Sequence, residues 1–188
     1  MTKILVVVGV LCCAAGCATR QPDHFYVLAA QPAAARESAA GIDRQIFLRL
    51  SLPSLVDRSE MVLATPDGVA VMEHERWAAP LADLMSTTLR QDIERRRSDV
   101  AVLSRSVEAH AAMVRIEVDV IQLTARRGAE VSMEAQWRVT DSGNRKVSLG
   151  RDVFVAPLHA DSYAAVASAL SSCVGLLADR LAKEIPAG

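Results

Sequence analysis

The sequence predicts an α+β fold: a two-layer domain in which an antiparallel β-sheet, mostly a meander, carries two amphipathic helices on one face. Three observations predict it. Late in the chain, three successive stretches alternate apolar and polar residues with a period of two, separated by short turns. Two other stretches repeat their apolar residues at helical spacing, Leu81 to Ile93 and Tyr163 to Leu181. The segments ahead of the first helix are short, β-branched and broken by Pro and Gly.

Taken in order, the chain opens with a leader. Lys3 precedes an apolar run from Ile4 to Leu11, and Ala14-Ala15-Gly16-Cys17 follows. A basic residue, an apolar stretch and then small residues form an export signal, not part of the fold. The run is shorter than the roughly 20 residues a membrane-spanning helix needs. A cysteine directly after small residues has the form of a lipobox, with cleavage before Cys17 and a diacylglycerol on its thiol. Ala14 stands where Leu is usual. Cys12 and Cys13 fit worse, because Leu11 and Cys12 precede them. The expected organisation is a leader over 1–16, a lipidated tether over 17–23 and a single domain over 24–188.

Removing 16 residues from 188 leaves 172, enough for one domain with a full core. Lys3 leaves with the leader, so 20 of the 21 basic residues face 22 acidic ones. That balance gives no footprint for nucleic acid or for a polybasic membrane patch. Attachment to a membrane must then come from the acyl chains, at about 0.8 kcal/mol per buried CH₂. Cys173 is the one cysteine left unmodified, so no internal disulfide is expected. It falls on an apolar helical stripe, which predicts a buried, inert thiol. No Cys or His spacing suits a metal, and no cofactor is expected.

His24 to Leu28 reads as a first strand, Gln31 to Gly41 as a surface loop, and Ile46 to Leu52 as a second strand ended by Pro53. Ser54 to Glu60 is a connector. Met61–Ala64 and Val69–Met72 flank the turn Thr65-Pro66-Asp67-Gly68. Trp77 and Pro80 introduce the first helix, Pro80 suiting its first turn. Arg95, Arg96 and Arg97 close that helix, favourably placed on its dipole and expected in solvent. Val100–Leu103 is a short strand. Val114, Ile116, Val118 and Val120 then point inward, with a slip of phase near Ile121 that predicts a bulge. After the turn at Arg127-Gly128, Val131, Met133, Ala135, Trp137 and Val139 point inward. Asp141-Ser142-Gly143-Asn144 is a hairpin turn. Val147, Leu149, Val153 and Val155 are expected inward on the last strand. Arg115, Glu117, Asp119, Glu130, Glu134 and Arg138 make a wet outer face. Asp161 or Ser162 caps the last helix, with Tyr163, Val166, Leu170, Cys173, Val174, Leu177 and Leu181 on its apolar side.

Several motifs together resemble one family. They are the lipobox, the aromatic strand Phe25-Tyr26-Val27-Leu28, the segment Leu52-Pro53-Ser54-Leu55-Val56-Asp57-Arg58 with Met61-Val62 after it, and Arg76-Trp77-Ala78-Ala79-Pro80-Leu81 entering the helix. In this order they resemble the ABC-type transport auxiliary lipoproteins, the PqiC/YmbA-like periplasmic proteins. Two departures stand out: Leu55-Val56 before Asp57-Arg58, and Ala79 where the family carries an acid. The resemblance implies a non-enzymatic partner of a transport machine. Its partner would be the MCE-domain protein of an ABC-type transporter that moves lipids or hydrophobic compounds across the envelope. It also implies attachment to the outer membrane through acylated Cys17. Ala18, not Asp, follows that cysteine, which agrees with outer-membrane sorting. A ring-like homo-oligomer would suit the role.

Pro53, Asp57, Arg58, Arg76, Trp77 and Pro80 are the candidate site residues. Arg and Trp are frequent at binding hot spots, so they could face a partner. Equally, Asp57 and Arg58 could pin the connector, and Trp77 could plug the start of the helix with Arg76 stacked on it or paired to an acid. His24, His74, His110 and His159 belong to no catalytic motif, and His159-Ala160-Asp161-Ser162 reads as helix capping rather than a triad. No catalytic residue is expected. Two other readings are an envelope-integrity lipoprotein that transports nothing and a stand-alone periplasmic lipid binder.

Overall fold

A computed structural model of the chain describes residues 21–33, 41–42, 44–103, 113–141, 143 and 145–186. Cys17, the leader and His110 lie outside the described residues. The strands are β1 (His24–Tyr26), β2 (Arg44–Ser51), β3 (Glu60–Thr65), β4 (Gly68–Trp77), β5 (Val100–Leu103), β6 (Val114–Arg126), β7 (Glu130–Asp141) and β8 (Lys146–Pro157). The helices are α1 (Leu81–Arg96) and α2 (Tyr163–Glu184).

The class is α+β, but the strands form two mixed sheets rather than one antiparallel sheet. One has the order β1-β4-β3, the other β5-β2-β6-β7-β8. Only β3–β4, β6–β7 and β7–β8 are antiparallel; β2 runs parallel to both β5 and β6, and β1 parallel to β4. The reason lies in the connection. The β3–β4 hairpin and α1 intervene between β2 and β5, so the chain crosses over and returns in the same direction. Short strands without a tight turn between them do not declare their partner in sequence.

The expected bulge is present, as a register shift between Val120 and Gln122 against β7. Gly128 adopts φ 73° in the β6–β7 turn, a left-handed conformation that glycine takes without strain. Asp141 holds the next turn by accepting from the Gly143 and Arg145 backbone N–H groups at 3.0 and 2.8 Å.

The phase of β8 is the reverse of the expected one. Phe154 and Ala156 are buried, while Val147, Leu149, Val153 and Val155 are exposed. Register decides this: Met133 stands opposite Phe154 and Val131 opposite Ala156, and directly opposed residues share a face. Both phases of β8 carry apolar residues, so alternation alone could not choose between them. Gly150 opposes Trp137, whose ring fills the space a side chain would take.

One core joins both sheets and both helices. From α1 it takes Leu81, Met85, Leu89 and Ile93, and from α2 Val166, Leu170, Cys173, Val174, Leu177 and Leu181. α2 is long and apolar enough to cross a membrane by composition, yet it lies largely buried as a core helix. Ser162 caps it, its Oγ accepting from the Ala165 N–H at 3.1 Å.

Candidate functional site

Pro53, Asp57 and Arg58 belong to one short segment and Arg76, Trp77 and Pro80 to another, and the fold brings the two together at one junction. The connector after β2 turns on the Pro53 carbonyl, which accepts from the Val56 and Asp57 N–H groups at 3.0 and 3.1 Å. That turn aims Asp57 at the start of α1. Pro80 occupies the cap position there, and its side chain supplies no cap hydrogen bond. Asp57 Oδ1 accepts from the Ala82 N–H at 3.2 Å instead. The helix is thus capped by a carboxylate from a distant segment, which satisfies one of its free N–H groups and complements its dipole.

Trp77 is the last residue of β4, three positions ahead of Pro80. Its N–H donates to the Ser59 carbonyl at 2.7 Å, and its indole is only 4% exposed in the core. Arg76, beside it, turns to the surface. It donates to Ser59 Oγ at 2.9 Å and to Glu60 Oε1 at 3.2 Å, while Arg58 Nε reaches Glu60 Oε2 at 3.1 Å. Two guanidinium groups therefore share one carboxylate. The Glu60 carboxyl is held below its usual range, first by its own backbone N–H and then by Arg58. Trp77 is thus buried in the junction, Asp57 and Pro80 are exposed at the start of α1, and Arg58 and Arg76 carry their cations to the surface on Glu60.

Beneath this junction is a small apolar cavity of about 20 Å³, lined by Val56, Met61, Trp77, Leu81, Val166 and Leu170 among others. It holds about one water-sized sphere, whereas ligand sites run to roughly 300–1,000 Å³. Among the described residues, no three or more His, Cys, Asp or Glu side chains converge to hold a metal.

Two charged constellations were not legible in the sequence. The first ties β1 to β4. Tyr26 donates to Glu75 Oε2 at 2.5 Å, His24 Nδ1 lies 3.1 Å from Glu75 Oε1, and His74 Nδ1 lies 3.0 Å from Asp23 Oδ1. Burial and the Glu75 carboxylate push the Tyr26 phenol up to about 12. Burial pushes Glu75 up, but the hydrogen bonds from Tyr26 and His24 bring it below the usual carboxylate range.

The second is the end of α1, expected in solvent and found instead fastening the chain. Arg95 Nη1 donates to the Ala30 carbonyl at 2.7 Å. Arg96 is buried between Asp92 and Asp179, at 3.2 and 2.5 Å. Arg97 grips Asp99 with two hydrogen bonds and donates to the carbonyls of Ala182 and Ile185. The start of the expected surface loop is strapped across both helices: the Ala29 N–H donates to Ser171 Oγ and the Gln31 N–H to Asp92 Oδ1. Burial raises the Asp92 carboxyl above its usual range, against the pull of Gln31 and Arg96. Asp92 at the edge of an apolar stripe, four residues before Arg96, was the available signal.

Of the residues near His159, Asp161 binds Arg127 at 2.6 Å, Ser162 caps α2 and His159 is exposed, so no triad forms. Burial pushes the Cys173 thiol up to about 12, which keeps it neutral and inert.

Residues 26–182 match the family described as the ABC-type transport auxiliary lipoprotein component. The chain belongs to that family. The match runs from the end of β1 into the last turn of α2 and includes the whole junction around Asp57 and Trp77. It assigns the chain to lipoprotein components of the cell envelope that serve an ABC-type transporter. Two crystal structures are similar in fold. One, titled as an uncharacterized protein, is 18% identical with a TM-score of 0.69, covering 88% of this chain and 100% of its own. The other, protein XCC0632 from Xanthomonas campestris in the DUF330 family, is 17% identical with a TM-score of 0.66, covering 85% and 92%. At these identities the likeness concerns the fold alone. No curated protein matches the sequence.

Proposed function

We propose that this protein is an outer-membrane lipoprotein, acylated on Cys17 after removal of residues 1–16. In this reading residues 17–23 tether one periplasmic domain over 24–188. That domain acts as a non-enzymatic adaptor for an ABC/MCE-type system that moves lipids or hydrophobic compounds across the envelope. The observation that carries the adaptor reading is the filled interior. Both helices seal the apolar face of the large sheet, and the cavity under the junction residues is water-sized. A domain so packed supports binding of a protein more readily than enclosure of a lipid.

Arg58 and Arg76 are the proposed partner contacts at the junction, because both are planar cations at the surface held in place by Glu60. Asp57, Trp77, Pro53 and Pro80 shape the platform that presents them. The test is crosslinking of the membrane-anchored protein in cells, followed by mass spectrometry of what is captured. An MCE-domain protein among the dominant partners is the expected result, weakened in an Arg58→Ala/Arg76→Ala double variant. Capture of only cell-wall or unrelated envelope proteins would refute the transport reading. Cys17→Ala should move the protein from the membrane pellet to the soluble fraction, and a variant that stays in the pellet would refute the lipid anchor.

A further inference from the structure

The aromatic strand near the N-terminus is only half used by the core. Tyr26 and Leu28 pack inward, Tyr26 with its hydroxyl on Glu75 and its carbonyl accepting the Ala78 N–H at 2.8 Å. Phe25 and Val27, in the alternate phase, are 64% and 62% exposed. Parallel pairing sets Phe25 beside Arg76 and Tyr26 beside Trp77, which directs Phe25 outward. Val27 follows β1 directly, beside the Tyr26 carbonyl that the Ala78 N–H holds, so two large apolar side chains face solvent at the strand and its end.

We propose that Phe25 and Val27 dip into the surface of the same bilayer that carries the acyl anchor, giving the domain a second, non-covalent membrane contact. The inference rests on the reading of Cys17 as the lipidated residue. Given that anchor, the seven residue steps from Cys17 to His24 span no more than about 25 Å. β1 is thereby the described element nearest the anchor along the chain. Two exposed apolar side chains on the first described element after the anchor are placed for an interfacial contact.

Area separates a bilayer from a protein as the occupant. Two side chains bury far less than the roughly 1,000 Å² of a specific protein interface. A weak contact of that size still forms when a covalent tether keeps the membrane at high effective concentration. The exposed row Leu149, Val153 and Val155 on β8 differs in kind, because it runs along a free strand edge that suits protein pairing.

The experiment uses the full, acylated protein in vesicles of phosphatidylethanolamine and phosphatidylglycerol, with Phe25→Trp, Val27→Trp and, as the comparison site, Leu149→Trp. The native Trp77 and Trp137 are buried, so the introduced indole dominates the response to quenchers. Lipid brominated near the headgroup should quench Phe25→Trp and Val27→Trp at least about twofold more than Leu149→Trp, and both should be shielded from aqueous acrylamide. Phe25→Trp and Val27→Trp indoles open to acrylamide and untouched by brominated lipid, in acylated protein that sediments with the vesicles, would overturn the proposal alone. Shielding from acrylamide without bromine quenching would overturn it in favour of a second copy or another protein. Protein that carries no acyl mass on Cys17 and fails to sediment would remove the anchor reading and this proposal together.

Discussion

Gly150→Ala is the sharpest test of how β7 and β8 pack. A Cβ at Gly150 would lie 2.3 Å from Cζ2 and 2.5 Å from Cε2 of Trp137, against about 3.4 Å for the near limit of ordinary contact. The ring must therefore move by about 1 Å or more. It has little room to do so, being 2% exposed, tilted against Phe154 at 6.4 Å between centroids and lying under the Arg180 guanidinium at 5.7 Å. Overpacking of this kind costs about 1–3 kcal/mol. Alanine returns about 0.4–1 kcal/mol by restricting the unfolded chain, because Gly150 does not need a left-handed backbone. The difference runs up to about 2.6 kcal/mol, and because the enclosed ring can hardly yield the loss falls in the upper part of that range, a fall in Tm of several degrees, up to about 10 °C, for a domain of this size. Thermal and urea unfolding followed by tryptophan fluorescence reads it. Gly41→Ala, where an added Cβ meets nothing within 4 Å, is the control and should be neutral or slightly stabilising. A Gly150→Ala midpoint at or above wild type would refute the close approach of Trp137 to β8.

Asp57→Ala should cost about 1 kcal/mol by removing the cap on α1, with Asp57→Asn keeping most of the stability; equal urea midpoints for wild type and Asp57→Ala would show that the cap contributes nothing. Cys173 should resist alkylation at pH 8 in the native protein and react at once in denaturant, since burial pushes its thiol up to about 12; fast native labelling counted by mass spectrometry would contradict that burial. Asp99, held below its ordinary range first by the hydrogen bonds from Arg97, binds protons less tightly folded than unfolded. Its stabilisation is thus complete above the ordinary aspartate range and lost as pH falls through its lowered folded value. Asp99→Asn should lower the urea midpoint at pH 7 and flatten the acid limb, and an unchanged acid limb would count against the Arg97 pair.

Local patterns were readable where one period had one solution. The stripes of α1 and α2, the alternation of β6 and β7 and the slip near Ile121 each allow a single face to be buried, and those faces are buried. The connector residues were legible as a group but not in role. Nothing in sequence says that Asp57 reaches Ala82 across 25 positions, or that Trp77 belongs to a strand and Arg76 pairs with Glu60. The arginine cluster at the end of α1 shows the same limit. Its charge predicts solvent, and although Asp92 and Asp99 lie within four residues of their arginines, Asp179 and the carbonyls of Ala30, Ala182 and Ile185 come from segments that only the folded chain brings to it.

The sequence by itself determined the α+β class, two core helices, three long strands and the family motifs, because each rests on spacing or order within a short window. Tertiary structure alone decided the split into two mixed sheets, the inverted face of β8, the capping of α1 from afar and the outward setting of Phe25 and Val27. Those depend on which strand lies beside which and in what register. Where both phases of a strand are apolar, as in β8, or where a residue's partner lies dozens of positions away, local chemistry is degenerate and the packing of the whole chain breaks the tie.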